Sequence, residues 1–543
     1  MATLNFKGKS AVWNHHLSVP YHTLEKDDKK SLKGENSDKN LIIEGDNLLA
    51  LKSLLPQYQG QVKCIYIDPP YNTGKEEWVY NDNVNSPTIQ NWLGKVVGKE
   101  GEDLTRHDKW LCMIVPRLKL LHTLLSQDGV IFISINDWEL HHLRSVMNDI
   151  FGDENFVATF VRQSIKGGIG PSTEVRKTHD YVVAYAKSKK DSELQGLEID
   201  AQELDLEDEK GPYRKGRELN KWGAGSRRED SPTMWFPVKG PKDKEVYPIR
   251  NDGSEGRWRW GKMRMEKAVA EGDVIFEPRP DGTYIVYEKV REDSMRRRAF
   301  STLEIPNANG TEEVKELFDG KSLFDYPKPT ALISFLISLC ANGDDDIILD
   351  SFAGSGTTAH AVLKLNAEED TNRRFILVQL PEETKKDSPA YKAGYKWVHE
   401  VTKERIKRVI QKNKYKTGYT YSTLGPSIDA ETILSGKLPT YTEFAKYVYY
   451  LATGKNHPKE KDIKEKEGFV GKSEHESIYL LYEKDMDKLK KLAITLDWAR
   501  ETNKKDSGKK IVYAPACYLD DELLSEVNIK FVSIPYNLFE HKK

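Results

Sequence analysis

Apolar residues recur along this chain in short continuous runs, and stretches of helical spacing separate the runs. Leu41-Ile42-Ile43 reads as a short buried strand. Asp46 then stands where it can cap a helix whose apolar face is Leu48, Leu51 and Leu55, with Leu49 and Leu54 beside it. Val62 to Ile67 is a second β-branched run, nearly unbroken, as strands covered on both faces tend to be. Helical spacing covers Trp110 to Leu125, Asp128-Gly129 turns the chain into the strand Val130 to Ile135, and another helix covers Trp138 to Ile150. Phe156 to Arg162 and Tyr181 to Lys187 read as hairpin arms joined by the glycine-rich Lys166 to Pro171. The alternation resumes with a helix over Ala331 to Cys340, a strand over Ile347 to Asp350, a helix from Thr357 and a strand over Phe375 to Leu380. This order predicts an α/β fold with a mostly parallel, doubly wound sheet.

Shifts in the pattern divide the chain. Residues 1–38 are polar, with the charge cluster Glu25 to Lys30, and read as an N-terminal arm with little core. Residues 39–189 hold the first alternating half. Residues 190–315 open on the acidic stretch Glu198 to Lys210 and then mix Arg, Lys and aromatic residues. Residues 316–422 hold the second alternating half. Residues 423–543 read as a small C-terminal α/β domain with strands at Ile478 to Tyr482 and Lys510 to Tyr513 around a helix. For 543 residues, roughly 100–200 per domain predicts about three domains.

Composition narrows the class. The 38% hydrophobic and 31% charged fractions fit a soluble globular protein. Ala331 to Ala341, the longest nearly apolar run, is too short for a bilayer, and Met1 to Ser10 lacks the apolar core of a secretory signal. A cytoplasmic protein without a membrane partner is expected. Cys64, Cys112, Cys340 and Cys517 are too scattered for finger or redox spacing, so neither a metal site nor a disulfide is expected. His15-His16 and His141-His142 are adjacent pairs that cannot share one face, and Asp344 to Asp346 reads as a turn before a strand. The formal net charge of −2 excludes a wholly basic nucleic-acid binder, so any such surface must be local.

Two loops carry the chemistry. Asp68-Pro69-Pro70-Tyr71 follows the strand ending at Ile67. Two prolines make a rigid turn, which would place a carboxylate, a free Pro69 carbonyl and an aromatic ring at the carboxyl edge of the sheet. An exocyclic amine of a nucleobase is a poor nucleophile because its lone pair is delocalised into the ring. If Asp68 and a backbone carbonyl accept its hydrogens, the nitrogen is drawn toward tetrahedral geometry, and Tyr71 offers a stacking face to a flipped base. The second loop, Asp350-Ser351-Phe352-Ala353-Gly354-Ser355-Gly356-Thr357, follows a strand and opens a helix. It lacks the Gly-Lys-Ser/Thr of a phosphate loop and the third glycine of the dinucleotide fingerprint. An amino-acid-bearing nucleoside such as S-adenosylmethionine fits it better.

Together these segments resemble the amino-methylating DNA methyltransferases. The catalytic segment precedes the cofactor segment, as in their permuted β group. Ile43 to Leu48, Ile65 to Gly74, Tyr326-Pro327-Lys328-Pro329, Phe375 to Glu382 and Ile534 to Asn537 are similar to the modification subunits of type III restriction–modification systems. The resemblance implies a seven-stranded sheet, S-adenosylmethionine as methyl donor, and transfer to N6 of a flipped adenine in duplex DNA. It places catalysis on Asp68, Pro69, Pro70 and Tyr71. It gives cofactor contacts to Asp46 on the adenine side, to Asp350, Phe352, Ala353, Gly354, Ser355, Gly356 and Thr357 at the methionine end, and to Lys328, which also reads as a solvated lysine at a helix start. Gln379 keeps an open role. A homodimer and a helicase–nuclease restriction subunit are the implied partners.

The middle region is basic in three places: Arg214, Lys215, Arg217, Lys221, Arg227 and Arg228; Arg257, Arg259, Lys262 and Arg264 around Trp258 and Trp260; and Arg296-Arg297-Arg298. Such charge suits phosphates, and arginine suits guanine edges. Interleaved Glu218, Glu229 and Asp230 also fit a solvated charged face. Lying between the catalytic segments, the region reads as the DNA target-recognition part. The rival readings are a stand-alone adenine or cytosine-N4 enzyme, an RNA or protein amino-methyltransferase, and a non-catalytic nucleic-acid-binding module.

Overall fold

The computed structural model describes residues 4–73, 105–165, 177–194, 204–291, 299–429 and 438–534, with residues 175, 197–198, 296–297, 432 and 435–436. The chain forms two compact units, residues 1–194 with 300–543, and residues 195–299.

Ten strands make the main sheet of the first unit: β1 (His22–Lys26), β2 (Leu41–Glu44), β3 (Val62–Ile67), β4 (Leu125–Ile135), β5 (Phe156–Gln163), β6 (His179–Ala186), β7 (Thr302–Leu303), β8 (Ile347–Asp350), β9 (Arg374–Gln379) and β10 (Thr420–Ser427). Their spatial order is β1-β10-β2-β9-β8-β3-β4-β6-β5-β7. From β10 to β4 all neighbours run parallel. β6 is antiparallel to both β4 and β5, β1 is antiparallel to β10, and β7 runs parallel to β5.

Both faces of the parallel part are covered. Ile65, Ile67, Leu349, Ile376 and Val378 share one core cluster with residues of α1 (Asn47–Tyr58), α2 (Arg106–Leu124) and α3 (Leu140–Phe151). Cys64, Ile348, Phe375 and Leu377 point the other way in the pleat and are equally buried. A second group of helices follows in the chain: α4 (Asn307–Leu317), α5 (Thr330–Ser338), α6 (Thr357–Glu369) and α7 (Val398–Lys412), with α6 packed on both α5 and α7. No helix among the described residues is long and apolar enough to cross a membrane.

The sheet departs from the expected seven strands at its edges. Residues 4–26 are not the coreless arm that their polarity predicts. Phe6, Val12, Val19 and Tyr21 are buried, and β1 joins the sheet through β10. The charges that disguise this segment are themselves placed, since Lys30 Nζ lies 2.9 Å from Glu44 and over the Tyr421 ring. Asp128-Gly129 does not precede β4 but lies inside it, as a register shift opposite Val62 and Cys64. A Cβ on Gly129 would come within 2.8 Å of the Val62 carbonyl oxygen. The loop Lys166 to Pro171 lies outside the described residues.

The second unit is smaller than the 190–315 segment, because residues 300–315 belong to the first unit through β7 and through α4, which packs on α7. Its antiparallel sheet runs in the order Val274–Pro278, Tyr284–Val290, Gly211–Glu218, Leu206–Asp208. Trp258, fully buried, centres a core with Leu219, Phe236, Met265 and Val286. Within residues 423–543, strands Phe469–Lys472, Ser477–Leu480, Lys510–Ala514 and Ile529–Ser533 form a separate sheet, with helix Leu496–Lys505 between its second and third strands in sequence.

Candidate active site

β3 and β8 are parallel neighbours, with Leu349 opposite Ile65. The loops that follow them therefore leave the sheet side by side at its carboxyl edge, where open α/β sheets bind ligands. Between them lies a cavity of about 750 Å³. Asp68, Pro69, Pro70, Tyr71, Lys328, Asp350, Phe352, Ala353, Gly354, Ser355 and Thr357 all line it. Asn136 to Trp138 at the end of β4, Lys177, His179-Asp180 on β6 and the segments 306–309 and 324–327 form further parts of its wall.

The turn after β3 is tied down from outside the cavity. Trp110 of α2 donates its indole N–H to the Pro70 carbonyl at 2.7 Å. Asn72 has a left-handed backbone, φ +56°, and its side chain donates to the Arg106 carbonyl at 3.2 Å and to Glu139. Glu139 is fully buried and also accepts from Nδ1 of His107 at 2.7 Å and of His142 at 2.8 Å. The ligand atoms of these three residues all lie within 4.8 Å of one another, a closeness the hydrogen bonds account for. Asp68 Oδ2 receives the Lys328 ammonium at 2.5 Å. The same ammonium stands 5.0 Å from the centre of the Tyr71 ring. Asp68 Oδ1 is buried and accepts no hydrogen bond among the described residues. Burial, reinforced by the Asp68 charge, pushes the Tyr71 hydroxyl far up and keeps it neutral.

The turn after β8 is built by its carboxylate. Asp350 Oδ1 accepts from the Phe352 amide at 2.9 Å and Oδ2 from the Thr358 hydroxyl at 2.5 Å, so one side chain joins strand, loop and helix. Burial pushes the Asp350 carboxyl up to about 7 against these hydrogen bonds. Gly354 and Gly356 take φ of +53° and +81°, conformations that other residues rarely adopt. The Gly354 amide donates to Gln379 Oε1 at 2.7 Å, and its carbonyl accepts from Thr402 at 2.5 Å. Gln379 thus fixes the loop. Arg405, fully buried, donates to Ser355 at 2.7 Å and Thr357 at 2.8 Å.

Two predicted cofactor residues do not line the cavity: Gly356, at the start of α6, and Asp46. Asp46 caps α1, with Oδ1 accepting from the Leu48 and Leu49 amides at 2.8 and 3.2 Å and Oδ2 3.6 Å from Arg117. In the second unit, Arg217 and Arg227 are exposed, and Arg228 pairs with Glu255 at 2.8 Å. Arg257 and Arg259 donate to backbone carbonyls of Gly225 and Glu218. Arg259 is lowered from its usual range, first by burial and then by the charges of Arg217 and Arg257. The Arg214 Nε is buried without a hydrogen bond among the described residues. Arg296-Arg297 pairs through its backbone with Leu197–Glu198; the side chains, and Arg298, lie outside the described residues.

Residues 62–390 match a family model described as DNA methylase. The chain is 34% identical over 451 residues to the Mod subunit of the type III restriction-modification enzyme EcoPI of Escherichia phage P1, covering 76% of this chain and 68% of that one. The chain belongs to the DNA methylase family. It is also 32% identical to the EcoP15I Mod subunit of Escherichia coli, over 81% of this chain and 74% of that one. The type II methyltransferase M.KpnI of Klebsiella pneumoniae is 33% identical, over 70% of this chain and 90% of that one. The matched segment of this DNA methylase contains both loops and the whole second unit. Trp110, Glu139, Thr358, Thr402 and Arg405, which hold the methylase loops, carry no local motif. The one signal was the spacing of Glu139 and His142 on a single helical turn.

Proposed function

We propose that this DNA methyltransferase moves a methyl group from S-adenosylmethionine to N6 of a flipped adenine in a specific duplex sequence, as the modification subunit of a type III restriction–modification system. The observation that carries the reading is the pairing of β3 with β8, which opens Asp68 to Tyr71 and Asp350 to Ser355 into one cavity. The size is right for a nucleoside with an amino-acid tail, since ligand cavities run to about 300–1,000 Å³. So is the donor set: a buried carboxylate at Asp350 for an ammonium group, a loop open to close approach at Gly354, and the Phe352 ring on the wall. Bound there, S-adenosylmethionine supplies an electrophilic methyl on a sulfonium.

The chain supplies the rest. Asp68 Oδ2 and the Pro69 carbonyl accept the two amine hydrogens and gain strength as the nitrogen becomes cationic, which lowers the barrier. Tyr71 presents its ring face to the base. Asp350, Phe352, Ala353, Gly354, Ser355 and Thr357 hold the methionine end, with Gly356 turning the chain into α6. Asp46 takes the adenine side with the oxygen not committed to its cap. The inner seven strands, β2 to β6 with β8 and β9, serve as the doubly wound methyltransferase sheet. The second unit serves as the DNA reader, where the crowding of Arg217, Arg257 and Arg259 favours an incoming phosphate. A homodimer, a helicase–nuclease partner and a cytoplasmic location complete the proposal.

Mapping methylated adenines across a bacterial genome with and without the gene tests it directly. One methylated adenine motif that disappears with the gene is the expected result. No difference, or methylated cytosine alone, overturns the reading.

A further inference from the structure

Resting on that reading, the geometry points to Lys328 as a displaceable stand-in for the target amine, holding the base position at Asp68 and Tyr71 until a base is inserted. The ammonium sits 2.5 Å from Asp68 Oδ2 and 5.0 Å from the Tyr71 ring centre, so it fills both contacts that the flipped base needs. The other oxygen offers no way around it. Oδ1 is sealed from solvent, whereas the Asp68 side chain as a whole is 28% exposed, so Oδ2 is the acceptor turned toward the cavity. Oδ2 keeps a second lone pair, but a base stacked on Tyr71 needs the space that the ammonium holds, so it takes the place of Lys328.

The surroundings suit such an exchange. The backbone at Lys328 is anchored, with its carbonyl accepting from Thr357 Oγ1 at 3.2 Å. Two residues on, Thr330 donates its amide and hydroxyl to Glu313. Only the flexible side chain has to move, and the exposed carboxylate of Asp325 lines the same cavity. The ammonium also matches the product of attack, a cationic nitrogen bearing hydrogens, more closely than it matches the neutral amine. Lys328 is then a positioning residue, keeping Asp68 turned toward the cavity, and a brake on bases that bind weakly.

The test compares duplexes carrying adenine or purine, which lacks the amine, at the methylated position. In the wild type the amine replaces an existing bond at Asp68 and gains only what the Pro69 carbonyl adds, so the ratio of the two dissociation constants is expected to be small. In Lys328→Met the vacated carboxylate waits for a donor, and the ratio should rise about tenfold or more, the scale of one charge-assisted hydrogen bond. Lys328→Arg should behave as the wild type, and adding Asp68→Ala to Lys328→Met, which removes the acceptor, should abolish the gain. Calorimetric titration with S-adenosylmethionine separates this role from the cofactor contact that the family resemblance implies for Lys328: an affinity within about twofold of the wild type is expected, well under the tenfold that 1.4 kcal/mol represents. An unchanged ratio in Lys328→Met, or a large loss of cofactor affinity, overturns the inference. If Lys328→Met does not fold, Lys328→Leu, which also carries no donor, makes the same comparison. A wild type that methylates no duplex is a failure of the functional reading instead, and is seen before any variant is made.

Discussion

The indole N–H of Trp110 donates to the carbonyl oxygen of Pro70 across 2.7 Å. That bond ties the catalytic turn to the buried interior of α2 and consumes the Pro70 carbonyl, while no hydrogen bond reaches the Pro69 carbonyl among the described residues. Trp110→Phe keeps most of the volume and removes the donor. Stability should fall by about 1–2 kcal/mol, and methyl transfer should drop about tenfold as the turn loses its position. Urea unfolding and single-turnover methylation measure the two effects separately. Unaltered transfer would mean that the prolines alone place the turn.

On the proposed function, Asp68→Ala should abolish most of the chemical step and leave cofactor binding nearly intact, because the cofactor is assigned to the other loop. A loss of about 10²–10³ in single-turnover rate is expected, the scale seen when one charge-stabilising partner is removed. Tyr71→Phe should be mild, whereas Tyr71→Ala loses a stacking face worth roughly 1–3 kcal/mol. A nearly normal burst from Asp68→Ala would remove this residue from the chemistry.

Asp350 makes cofactor binding depend on pH. Burial raises its carboxyl from an ordinary 3.8 to about 7, so the free protein keeps it partly protonated near neutrality. A cationic ligand group favours the carboxylate, so affinity for S-adenosylmethionine should rise between about pH 6 and pH 8 and then level off. Asp350→Asn should bind weakly with a flattened profile. The effect on folding has the opposite sense: the folded form keeps a proton that the unfolded form gives up, so this group's contribution to stability is lost as pH rises from about 4 to 7. Calorimetric titration at several pH values checks the first effect, and an affinity falling over that range would contradict it.

Gly354→Val meets two obstacles at once. Its φ of +53° disfavours a β-branched residue, costing about 1–2 kcal/mol, and Gly354 lines the cavity proposed to take the cofactor, where added atoms leave less room. Melting should shift down modestly while cofactor affinity falls by a much larger factor. Equal affinity in the folded variant would take the loop out of the cofactor site.

The strands were legible because β-branched runs such as Val62–Ile67 and Ile347–Asp350 need only local reading, and both functional turns sit directly after them. What joins those turns was not. The bond between Lys328 and Asp68 spans 260 positions: Lys328 comes from the segment before α5, its carbonyl is held by Thr357 at the end of the turn after β8, and β8 lies beside β3, a conjunction that no window of residues contains. Glu139 hid for a related reason, since a carboxylate at a helix start reads as a solvent-facing cap until the helix buries it against Asn72, His107 and His142. The N-terminal segment misled in the opposite sense. Its charges dominate its composition, whereas four well-spaced apolar residues decide its place.

The chain leaves the sheet after β6 and rejoins it at β7, and these strands flank β5. Departure and return therefore lie on one edge of the framework, and the intervening 195–299 unit has a core of its own. In evolutionary terms the two seams are sites where recombination can trade one proposed reader for another while the framework that carries both loops is inherited untouched. On the proposed function, a lineage changes its target sequence in a single exchange, without passing through a catalytically damaged ancestor.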